Sequence, residues 1–151
     1  MKAILALADG RIFEGTSFGA EGEADGEVVF NTSMTGYQEI LSDPSYYGQM
    51  VVMTYPLIGN TGINLADMES NKPQIEGLAV KEYCSLPSNW RSSQPLGDFL
   101  KDHNITGIQG IDTRALVRHI RLKGAMKGIL STKDMDPKNL LKKVQAFPRL
   151  I

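Results

Sequence analysis

Glu27–Asn60 limits what this chain can fold into more than any other stretch of it. Two apolar runs, Glu27–Asn31 and Met50–Tyr55, flank a helix-like segment over Thr35–Leu41 and a turn at Ser42-Asp43-Pro44. Short runs of β-branched and aromatic residues bounded by turn signals read as strands, and Pro56 stops the second one. The segment holds no Cys, no His and no metal-ligand cluster. Dense, well-punctuated sequence without reactive groups suggests a surface shaped for binding rather than for bond-making.

The flanking sequence fits layered α and β structure. Lys2–Ala8 predicts a strand, Asp9-Gly10 a hairpin turn, and Arg11–Glu14 the returning strand. Gly15, Gly19, Gly22 and Gly26 read as a loop-rich stretch. Leu57 to Pro73 lacks periodicity and reads as a long loop of the kind that often carries function. Ile75–Tyr83 predicts a strand broken at Gly77, and Ile105–Ile111 another. Pro95–His103 has helical spacing of Leu96, Phe99 and Leu100. Asp112 is a good N-cap for a helix over Thr113–Lys123, with Gly124 where it would end. Lys127–Ser131 predicts a strand. Asp136 and Pro137 open a last helix with Leu140, Leu141 and Val144 on one face.

Composition narrows the class. A chain of 151 residues fits one domain, able to bury about 68–70% of its unfolded surface. A net charge of -1 gives no bulk attraction to nucleic acid or anionic lipid. The lone cysteine, Cys84, cannot form an intrachain disulfide and favours a reducing compartment. The apolar N-terminus is too short for a signal peptide and no run reaches the ~20 residues that span a bilayer. The chain reads as cytoplasmic.

The chemistry-bearing residues are dispersed. Cys84, in Glu82-Tyr83-Cys84-Ser85-Leu86, lacks the small neighbours of a nucleophile elbow and reads as a buried thiol. His103 and His119 have no zinc-ligand spacing. Gly59-Asn60-Thr61-Gly62 lacks the Gly-Lys-Ser/Thr ending of a phosphate loop. Trp90 reads as an anchor of its own loop. Glu21, Glu23, Asp25 and Glu27 read as solvated charge. Arg114, Arg118 and Arg121, at i, i+4 and i+7, form a basic stripe opposite Leu116, Val117 and Ile120. That stripe is a solvated face, a partner-binding face using bidentate Arg–carboxylate pairs, or, more remotely, a nucleic-acid contact.

A resemblance adds what the residues alone do not supply. Gly26–Asn60 closely resembles the N-terminal domain of the small subunit of glutamine-dependent carbamoyl phosphate synthetase, as do Leu7–Gly15, Gly110–Arg121 and Lys123–Gly128. Ala146-Phe147-Pro148 is similar to the family's junction between two domains. The resemblance implies an α/β fold of the three-layer swivelling β/β/α type, with a mixed sheet and helices mainly in the second half. It implies docking onto the large synthetase subunit, which uses ATP and bicarbonate, in an enzyme feeding pyrimidine and arginine synthesis. It implies a partner glutaminase domain of the class I glutamine amidotransferase type, to which nothing in this sequence is similar. This domain alone is therefore expected to be inactive, without cofactor, metal or catalytic residues of its own. Ser45, after Asp43-Pro44, is implied to contribute to the glutamine site. Two other readings stand beside this one: a free-standing interaction module of the same fold, and a weak nucleic-acid-binding domain.

Overall fold

The computed structural model describes residues 1–32, 40–41, 43–54, 57–58, 74–83 and 96–146. Its first element follows directly from Asp9-Gly10. Strands β1 (Lys2–Leu7) and β2 (Ile12–Ser17) pair antiparallel from Lys2↔Thr16 to Ala6↔Ile12. Gly10 takes a φ of 99° in the turn, a region open to glycine at little cost. Asp9 Oδ1 accepts from the Arg11 N–H at 3.2 Å, an Asx-type bond that fixes the turn.

The larger strands form one closed, mixed barrel in the order β1-β2-β8-β6-β4-β3-β9. Its further members are β3 (Glu23–Asn31), β4 (Gln49–Met53), β6 (Gly77–Ala79), β8 (Thr106–Gln109) and β9 (Met126–Ser131). β3, β4, β6 and β8 are mutually parallel. β9 runs antiparallel to both β3 and β1 and closes the ring. A separate small sheet pairs β5 (Leu57–Ile58) with β7 (Glu82–Tyr83). The described helices are α1 (Leu96–Asp102), α2 (Thr113–Lys123) and α3 (Pro137–Ala146).

Strand alternation sorts the apolar residues into three clusters. Leu5, Val28, Met50, Val52, Ile108 and Leu130 share the barrel interior. Ile4, Ala6 and Ile129 point the other way and meet Leu140 and Val144 of α3. Val51, Met53 and Leu78 likewise face outward, against Leu96, Phe99 and Leu100 of α1. Helix α2 differs from the other two. Its Leu116, Val117 and Ile120 join the interior cluster, so it plugs the barrel mouth. Each large side chain removed from water in this way stabilises the fold by roughly 1.5–3 kcal/mol. The expected α/β layering thus takes the form of a barrel with helices against two outer faces and across one end.

Several expectations hold in detail. Asp112 caps α2 through Oδ1, which accepts from the Ala115 N–H at 3.0 Å. Gly124 ends that helix at a φ of 88°. Asp136 Oδ1 accepts from the Lys138 N–H at 3.0 Å at the start of α3.

Three expectations are corrected. The glycine-rich stretch is strand at both ends rather than loop throughout: Gly15 lies in β2 and Gly26 in β3, while Gly19 and Gly22 stay in the connection between them. Close backbone approach explains the glycine at position 15: a Cβ there would lie 2.1 Å from the Gln109 carbonyl oxygen. The break in the Ile75–Tyr83 segment falls after Ala79, while Gly77 itself begins β6. Leu57 and Ile58 belong to a strand, not to the loop expected to start there. The expected helix over Thr35–Leu41 lies outside the described residues except for Ile40 and Leu41, which are helical and buried.

Candidate functional site

Four parallel strands deliver their carboxyl ends to one side of the barrel, and the residues that follow them assemble a cleft. Thr32 follows β3, Thr54 follows β4 and Lys81 lies just beyond β6. Gly110, Ile111 and Asp112 follow β8 and lead into α2. The Gly110 N–H donates to the Lys81 carbonyl at 2.9 Å, so the two connections are stitched together beside the helix cap. The Thr54 hydroxyl donates to the Asn31 carbonyl at 3.2 Å, tying the other two strand ends. Thr32, Thr54, Lys81, Arg114, Arg118 and Arg121 line a cleft of about 1050 Å³.

Helix geometry sets the charge of this cleft. The apolar side of α2 is committed to the barrel interior, so residues spaced at i, i+4 and i+7 on its other side face out together. Arg114, Arg118 and Arg121 are exposed there, and the Arg121 guanidinium sits 5.1 Å from the centre of the Phe30 ring. Among the described residues, four cationic side chains thus share the cleft with one carboxylate, Asp112. One oxygen of that carboxylate is occupied by the Ala115 N–H. No ion pair joins any of the four cations to another of the described residues.

Ser45 occupies a different place. It sits exposed in a 3₁₀ turn, Pro44–Tyr46, that enters β4 from its amino end. Asp43 Oδ1 accepts from the Ser45 N–H at 3.0 Å. Tyr46 packs with Val29 against the α1 cluster, and its phenol oxygen accepts from Asn31 Nδ2 at 3.0 Å. Within the described structure, the Ser45 hydroxyl makes no hydrogen bond, and no residue of this turn lines the cationic cleft.

The remaining candidates are scattered. His119 pairs with Asp9 at 2.5 Å, joining α2 to the first hairpin. Burial pushes the Asp9 carboxyl up, but the Arg11 N–H and the His119 imidazole outweigh it and hold Asp9 below the ordinary value. The His103 ring packs on Phe99 and its Nδ1 lies 2.9 Å from the Phe99 carbonyl. Glu23 is exposed, as expected from the sequence, but it is also engaged: it accepts from Ser131 Oγ at 2.8 Å and pairs with Lys143 of α3 at 3.0 Å. Hydrogen bonds to Glu23 and to Asp134 raise the Lys143 ammonium above its usual value. Glu27 accepts from Gln49 at 3.3 Å, while Glu21 and Asp25 are exposed. Cys84, Trp90 and Gly59-Asn60-Thr61-Gly62 lie outside the described residues.

Sequence reading found the arginine stripe but missed Thr32, Thr54 and Lys81. A signal for the threonines was present, since Thr32 directly follows the first apolar run and Thr54 lies near the end of the second. Parallel pairing of those runs, invisible in the sequence, makes their ends neighbours.

These features define a mixed α/β barrel domain whose exposed chemistry is basic and hydroxyl-bearing, gathered at strand ends. The chain belongs to the carbamoyl-phosphate synthase small chain family: the family's CPSase domain matches residues 5–130. Its relatives agree. The carbamoyl phosphate synthase small chain of Syntrophotalea carbinolica is 64% identical over 151 residues, covering 100% of this chain and 40% of that protein. The small chain of Thermosynechococcus vestitus is 60% identical over 148 residues, 98% of this chain and 39% of that protein. The Aquifex aeolicus small chain is 60% identical over 146 residues, 97% of this chain and 39% of that one. The chain therefore spans about 40% of the length of the curated relatives it matches. An aminopeptidase from Aneurinibacillus sp. strain AM-1 superposes at a TM-score of 0.47 with 13% identity, over 85% of this chain and 30% of that one, a likeness too loose to carry an argument.

Proposed function

We propose that this chain is the N-terminal domain of a carbamoyl phosphate synthetase small subunit, and that its work is architectural. It docks the small subunit on the large synthetase subunit and completes one wall of the glutamine site. The whole cytoplasmic enzyme, on this reading, hydrolyses glutamine in a separate C-terminal domain and passes ammonia to the ATP- and bicarbonate-using subunit. Carbamoyl phosphate formed there feeds pyrimidine and arginine synthesis.

The observation that carries the reading is the match along essentially the whole chain to proteins named as this small chain. The site chemistry is compatible with it. Ser45 presents a hydroxyl, both donor and acceptor, from a turn held by Pro44 and the Asp43 cap, which suits orienting a polar amino acid such as glutamine.

Reconstitution tests it. This chain is mixed with the glutaminase domain and the large subunit, and glutamine-dependent carbamoyl phosphate formation is followed. Activity is expected only with all three parts, and Ser45→Ala is expected to raise the KM for glutamine with a smaller change in kcat. Glutamine hydrolysis by this chain alone, abolished by Cys84→Ala, would refute the reading.

A further inference from the structure

We infer that the cationic cleft at the carboxyl ends of β3, β4, β6 and β8 is the seat of an acidic segment of the synthetase subunit, an assignment that rests on the docking role proposed above. The arginines themselves supply the first reason. Like charges at i, i+4 weaken a helix, and a cation in the first turn opposes the helix dipole. Arg114 opposes the dipole in the first turn and repels Arg118 one turn on, with no compensating ion pair among the described residues, whereas Arg121 stands in the last turn where the dipole favours it. An anion seated in the cleft would offset both costs.

Spacing selects the kind of anion. Arg114 to Arg121 covers seven residues, about 10 Å along the helix axis. A single phosphate cannot pair bidentately with all three guanidinium groups across that span. Two or three carboxylates on one protein segment can, each held bidentately. The hydroxyl of Thr32 adds a donor to the cleft lining, and Phe30 steadies the Arg121 guanidinium at 5.1 Å.

Position selects the partner. Ser45 precedes β4, whereas Thr54 follows it, and the two ends of that strand are about 13 Å apart. With the glutaminase domain assigned to the Ser45 end, the cleft at the other end is left for the synthetase subunit.

The test uses this chain and the large subunit in a direct binding measurement over a range of salt concentrations. Binding is expected to weaken as salt rises, and R118E/R121E is expected to lower affinity about 100-fold, roughly tenfold for each charge reversed. R118K, which keeps the charge but loses the fork, is expected to fall between. Circular dichroism and melting of the variants check that the exposed substitutions leave the fold intact. If the wild-type chain binds and R118E/R121E binds equally well, the cleft assignment fails while the docking role stands. If the wild-type chain does not bind, both fail. Loss of association with the separate glutaminase domain instead, or tight tripolyphosphate or RNA binding abolished by the same variant with synthetase binding unchanged, would also overturn it.

Discussion

Gly15→Ala puts the barrel closure to a direct test. A Cβ at this position would lie 2.1 Å from the Gln109 carbonyl oxygen and 3.1 Å from carbons of both Ile108 and Ile111. Real Cβ atoms essentially never come closer than 3.0 Å, so the backbone must open by the difference, 0.9 Å. The seam that must open joins β2 to β8 through only two paired positions, Thr16↔Gln109 and Ser17↔Ile108. Opening of that size carries strand hydrogen bonds beyond the 2.7–3.2 Å range typical of such bonds. Overpacking costs about 1–3 kcal/mol and an unpaired strand group about as much again. A loss of roughly 4 kcal/mol corresponds to a Tm lower by about 8–16 °C for a domain of this size. Gly10→Ala is the control: nothing lies within 4 Å of its Cβ, and it carries only the backbone cost of a φ of 99°, about 1–2 kcal/mol. Both variants are melted by circular dichroism at one pH and ionic strength. A Gly15→Ala protein melting within about 2 °C of the wild type would refute the close-approach argument, since strain on that scale cannot be absorbed silently.

Two further perturbations address the helix caps and the charge pairs. Asp112→Ala is expected to cost about 1 kcal/mol and to speed amide exchange at Thr113–Ala115 without affecting Pro137–Ala146, while Asp112→Asn retains most of the cap; equal exchange in both helices would count against a local role. Asp9 titrates below its ordinary 3.8 in the folded protein, so its contribution is present above that value and is lost as the pH falls through the folded one. The stability difference between wild type and Asp9→Asn should therefore shrink under acid, and a difference unchanged between about pH 6 and pH 2 would sink the assignment.

What the sequence revealed was local. Asp9-Gly10, the Asp112 and Asp136 caps and the apolar face of α2 depend on residues within a turn or two of one another, and each is where short-range chemistry put it. What stayed hidden depends on distant partners. Gly15 looks like a loop residue until the Gln109 carbonyl arrives beside it from β8. Glu23 looks solvated until Lys143 reaches it from α3, at 3.0 Å, across more than a hundred residues of sequence. The cleft is hidden in the same way, because Thr32, Thr54 and Lys81 become neighbours only through parallel pairing. The arginine stripe was visible, yet its meaning was not, since a stripe alone is compatible with a solvated face.

Core packing, rather than surface chemistry, fixes where those arginines stand. Leu116, Val117 and Ile120 plug the interior, each no more than 6% exposed, and a helix so anchored cannot rotate about its axis without exposing them. Rotation by one residue turns the helix by about 100°, which would bury an arginine and expose a plug residue together. The cationic cleft therefore inherits its rigidity from the barrel at almost no cost in dedicated contacts. This arrangement favours recognition: the backbone positions of the charges are held in register before a partner arrives, so that what remains to be ordered on binding is the arginine side chains. It also separates the two roles of α2. Substitution at Arg118 alters what the cleft can hold without reaching the core, whereas substitution at Val117, which lines the cleft floor and the barrel interior at once, alters both.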